Sequence, residues 1–115
     1  MVQDLNKQMD ESIKFELSKA IEFITSLNGV LQVYLFGSYA YGEPGGRSDV
    51  DLMVLVSDDL DPIKTAFKIN MSLVESEINF DVIVNRKSAF EEVSKEPSFQ
   101  NIIKNNGVVL YADAQ

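Results

Sequence analysis

The chain has 115 residues, 45% of them apolar, with 18 acidic against 10 basic side chains and a formal charge of −8. That is the length of one domain, 1–115, able to bury somewhat over about 60% of its unfolded surface. With no cysteine and no histidine, disulfides, thiolate metal sites and the commonest general base are excluded, so chemistry must run on carboxylates, hydroxyls and bound metal. The negative charge repels nucleic-acid backbones, so direct nucleic-acid binding is not expected. Residues 1–7 lack a signal-peptide pattern, and no apolar run approaches the roughly 18 residues of a membrane span; the expectation is a cytoplasmic protein with no membrane partner.

From about Asp10 to Asn28, the apolar residues Ile13, Leu17, Ala20, Ile21, Ile24 and Leu27 recur at spacings of three and four, which predicts an amphipathic helix. Asn28-Gly29 should end it with a left-handed cap. Residues 30–36 are β-branched and aromatic, a strand that stops at Gly37. Ser38 to Tyr41 reads as a short helical turn, and 42–48, rich in glycine and proline, as a loop. Residues 49–56 form a second strand. Asp61-Pro62 supplies an N-cap and a first-turn proline for a helix to about Asn79, expected to bury Ile63, Ala66, Phe67, Leu73, Val74 and Ile78. Phe80–Asn85 follows as a third strand, then helical stretches Ser88–Lys95 and Pro97–Asn106, the latter with Phe99, Ile102 and Ile103 inward. A Gly107 cap precedes a last strand, Val108–Tyr111.

A strand, a crossover helix and a strand normally lie parallel, so 49–56 and 80–85 should start at one sheet edge. Strand 30–36, if antiparallel to 49–56, delivers Gly37-Ser38 to the same edge. Asp49 and Asp51 share one face of their strand, about 6–7 Å apart at roughly 3.3 Å per residue, and Asp81 starts the neighbouring strand. Like charges on an apolar strand are costly when half-buried, and a divalent cation is the natural neutraliser; hard oxygen ligands suit Mg2+ together with substrate phosphates. Three carboxylates at one edge are what a two-metal phosphoryl or nucleotidyl transfer needs, with the ions about 3.5–4 Å apart. Asp49 and Asp51 would bridge the ions, and Asp81 would bind one and serve as base. The plain alternative makes these aspartates acceptors for loop amides or partners of Arg47 or Arg86. Gly37 permits close backbone approach and Ser38 offers amide and hydroxyl donors to a phosphate.

Gly37-Ser38, ten residues, then Asp49-Val50-Asp51 resembles the signature of the DNA polymerase β-like nucleotidyltransferase superfamily. The segments Gly-Ser-Tyr-Ala-Tyr-Gly (37–42), Ser48-Asp49-Val50-Asp51-Leu52 and Gly-Val-Val-Leu-Tyr (107–111) are similar to its minimal single-domain branch, the MNT proteins. The resemblance covers essentially the whole chain. It implies an α/β fold with a mixed sheet flanked by helices, two magnesium ions on Asp49, Asp51 and Asp81, and a nucleoside triphosphate held by Gly37 and Ser38. It also implies a role: an antitoxin that transfers AMP from ATP to a tyrosine of a HEPN toxin. Many members carry arginine where Tyr39 or Tyr41 stands, so that positive charge is missing; Arg47, Lys64, Arg86 and Lys87 are the candidate substitutes. The short chain leaves the acceptor surface to a partner. Phe36 and Phe99 read as core residues before they read as contacts to adenine or partner, and exposed aromatics near the site allow self-association. Two other functions fit the residues, a non-catalytic antitoxin that blocks its partner sterically and a nucleotidyltransferase acting on a small molecule.

Overall fold

The computed structural model describes residues 9–42 and 49–113; most of the expected 42–48 loop, with Arg47, lies outside them. The Asp10 carboxylate accepts the amide of Ile13 at 2.9 Å and opens helix α1, Glu11–Ser26. The chain then forms strand β1, Val30–Phe36, and the short helix α2, Ser38–Tyr41. Strand β2, Val50–Val56, is followed by α3, Pro62–Ser72, which Asp61 caps by accepting the amides of Ile63 and Lys64. Strand β3, Phe80–Arg86, leads into α4, Lys87–Val93, and α5, Phe99–Asn106, before strand β4, Val108–Ala112.

The sheet order is β3-β2-β1-β4. Strand β2 runs antiparallel to β1 and parallel to β3, and β4 runs antiparallel to β1. This is the expected mixed sheet. One face buries Val33, Leu35, Leu52, Val54 and Val56 against Leu17, Ile21 and Ile24 of α1 and Ile69 of α3. The other packs Tyr34, Phe36, Met53 and Leu55 against Phe90 of α4 and Ile103 of α5. Every residue of β2 except Asp51 is buried. A one-residue slip of β2 would carry Asp51 into the face under α1 and α3, so packing on both sides fixes which way that carboxylate points.

Several boundaries and faces differ from expectation. Helix α3 stops at Ser72 rather than near Asn79, because Ser72 Oγ and Asn70 Nδ2 donate back to the carbonyls of Ile69 and Ala66 and the chain leaves in a turn through Leu73. Leu73 and Ile78 pack against the core as expected, but the helix itself turns a different apolar stripe to the sheet. Ile69 is buried, whereas Ile63, Phe67 and Val74, expected inward, are 81%, 68% and 69% exposed, with Met71 beside them. A helix that is apolar on two sides satisfies the 3.6-residue period twice, and periodicity alone cannot choose the side the sheet will cover. In α5 only Ile103 is buried; Phe99 and Ile102 are about half exposed. That helix begins at Phe99, two residues beyond Pro97, because Ser98 is its N-cap and accepts the amide of Asn101.

Candidate active site

Three elements place the predicted residues at one sheet edge. The register sets Asp51 of β2 directly beside Asp81 of β3 and opposite Phe36 of β1. Asp49 stands one position before β2, and the amide of Val50 donates to the carbonyl of Asn79 at 2.9 Å, tying the start of β2 to the end of the crossover. Gly37 ends β1 with φ 79° and ψ −155°, a conformation essentially reserved for glycine. A Cβ at this position would run into Oδ2 of Asp51. Backbone and carboxylate are therefore in direct contact, and Ser38 follows at the start of α2, whose turn is closed by the Ala40 and Tyr41 amides donating to the Gly37 carbonyl.

Asp49 and Asp81 are exposed and Asp51 is half-buried. Burial, and then the charges of Asp81 and Asp49, push the Asp51 carboxyl up to about 6. Among the described residues, none of these three carboxylates makes an ion pair. Arg86, one of the alternative partners, is occupied elsewhere: its Nε donates to the carbonyls of Asp58 and Leu60 at 3.1 Å. It ends β3, five residues and about 16 Å along the strand from Asp81. Lys87 opens α4 directly after it, and Lys64 sits in the first turn of α3, which starts from the same far edge. None of the three can replace the missing arginines at the Asp edge; Arg47 lies outside the described residues. Tyr39 is buried with the α1 and α3 core, while Tyr41 is 43% exposed.

Among the described residues, no group of three His, Cys, Asp or Glu side chains is gathered tightly enough to hold a metal ion by itself. The three aspartates meet at one edge by backbone register without closing into a cage. Magnesium does not require one, since it keeps several waters and binds through one or two carboxylates plus substrate phosphates. The donor set fits that cation: an adjacent pair of hard oxygen ligands, one of them half-buried and raised in proton affinity by that burial and then by its like-charged neighbours.

The same electrostatics give a stability test. The unfolded Asp51 carboxyl titrates near 3.8 and the folded one near 6, so folding takes up a proton between those values and the contribution of Asp51 to stability falls as pH rises through that window. Asp51→Asn lacks this slope. Without metal, its melting temperature relative to wild type is expected to climb from pH 4 to pH 7, and millimolar magnesium should narrow the gap by stabilising only wild type. A difference independent of both pH and magnesium would contradict the account.

The family model for polymerase beta nucleotidyltransferases matches residues 18–115. The fold resembles that in the crystal structure of a mutant toxin-antitoxin MntA-HpeT, at 23% identity and TM-score 0.59, covering 85% of this chain and 74% of that one. It also resembles a chain in the structure of the tri-AMPylated Shewanella oneidensis HEPN toxin in complex with MNT antitoxin, at 21% identity and TM-score 0.50, covering 87% and 72%. At these identities the likeness is one of fold. No curated protein matches the sequence. No described helix is long and apolar enough to cross a membrane.

Proposed function

The chain belongs to the polymerase beta nucleotidyltransferase family, and on that premise we propose that it is a magnesium-dependent adenylyltransferase acting on a tyrosine of a HEPN-type toxin. The observation that carries the reading is the Asp51–Asp81 pair in register with Gly37 pressed against Asp51. Asp49, Asp51 and Asp81 would hold the magnesium, which when bound would neutralise the triphosphate and polarise its α-phosphorus. Gly37 lets the backbone approach the phosphates closely, and Ser38 donates to them. Asp81 takes the proton of the attacking tyrosine hydroxyl. The tyrosine oxygen then bonds to the α-phosphorus, the bond to the bridging oxygen of the β-phosphate breaks, and pyrophosphate leaves. The toxin brings the acceptor tyrosine to the rim.

The experiment is incubation with α-labelled ATP, magnesium and the HEPN protein. Label on a tyrosine of that protein is expected; an unlabelled partner despite a stable complex overturns transfer. A purely steric antitoxin is the second reading, favoured by the burial of Tyr39 in the core, where it offers no charge to a triphosphate. Toxin neutralisation that survives replacement of all three aspartates would establish it.

A further inference from the structure

The aromatic pair beside the carboxylates has a form that core packing does not require. Phe36 lies opposite Asp51 in the β1–β2 register, so the two side chains share a sheet face with Cβ atoms about 4.5–5.5 Å apart. Phe36 is 6% exposed. Phe99, at the first position of α5, meets it edge-to-face with ring centroids 5.4 Å apart and planes at 85°. An edge-to-face pair covers at most one face of Phe99, and the residue is 46% exposed. Phe15 and Phe67 are more exposed still, so what sets Phe99 apart is its place, packed on the residue that pairs with Asp51. Phe36 thus links Phe99 to the strand position opposite Asp51.

We infer that the exposed face of Phe99, braced edge-on by Phe36, is the stacking platform for the nucleobase, and that it favours purine nucleoside triphosphates. This rests on the reading of the Asp edge as a triphosphate site. Base stacking on an aromatic ring tolerates any base, but its strength grows with the overlapped area, so purines gain most. Neither ring has a hydrogen-bonding group, so discrimination comes from ring size rather than from reading the base edges.

The test uses the full chain with magnesium and two probes, ATP and inorganic tripolyphosphate. Phe99→Ala is expected to weaken ATP binding about tenfold or more, within the range alanine substitution gives for base stacking, and to leave tripolyphosphate binding unchanged. The chain contains no tryptophan, so Phe99→Trp installs a single reporter. Its emission should be quenched by ATP, less by CTP, and not by tripolyphosphate. Wild-type affinity of Phe99→Ala for ATP would overturn the assignment, as would equal loss of both probes, which marks a merely supporting residue. If wild type binds neither probe, the triphosphate reading fails as well, and that outcome is distinct from the other two.

Discussion

Replacement of Asp49 and Asp51 together by alanine is expected to reduce adenylyl transfer at least about a thousandfold, a loss of roughly 4 kcal/mol of barrier lowering. Both carboxylates are assigned to the cations, and without them the triphosphate keeps its full charge as the nucleophile approaches. The fold should survive. Asp51 is the only residue of β2 that is not buried, and burial with its acidic neighbours already raises its proton affinity, so removing it relieves repulsion instead of opening the core. Transfer of label and the metal-free melting temperature at pH 7 are measured on the same preparation. Transfer within tenfold of wild type would refute the assignment, and a melting temperature no lower than that of wild type attributes lost transfer to the site itself.

Gly37→Ala should have a comparable effect by a different route. Its backbone lies where a Cβ is strained by about 1–3 kcal/mol, and that Cβ would collide with Oδ2 of Asp51. The strain predicts a melting temperature lower by about 4–8 °C for each kcal/mol in a domain of this size. The displaced carboxylate predicts more, because a shift of about 1 Å in a catalytic group can cost about a hundredfold in rate. Assayed well below its melting temperature, Gly37→Ala should therefore remain folded and still lose about a hundredfold or more in transfer. If activity falls only in proportion to the unfolded fraction, the contact between Gly37 and Asp51 is structural and has no part in the reaction.

The strands, their directions and the shared edge were legible because β-strand patterning and parallel crossover rules are local or nearly so: the apolar run opened by Asp49 and Asp51 and the crossover before residue 80 already imply that Asp81 starts its strand beside them, while the exact register is read only from the structure. What was not legible depends on choices between equivalent surfaces. Helix α3 has two apolar stripes, and only tertiary packing selects Ile69 over Ile63, Phe67 and Val74. Phe99 carries a core residue's chemistry, yet α5 turns only Ile103 fully inward. The basic residues failed as phosphate partners for a topological reason. Lys64, Arg86 and Lys87 come at the starts of helices or the end of a parallel strand, hence at the edge opposite the aspartates. How tightly the three carboxylates gather is a matter of side-chain placement, to which spacing is blind.

The parallel pairing of β2 with β3 has one more consequence. Asp51 and Asp81 are thirty residues apart in the chain and become neighbours only through the long closure across α3, a non-local contact that depends on the assembled sheet. No hairpin of this protein holds the constellation, which needs β2 and β3 joined through α3. Loss of transfer along a urea gradient should thus trace the same cooperative transition as circular dichroism, making the chemistry a reporter of global unfolding.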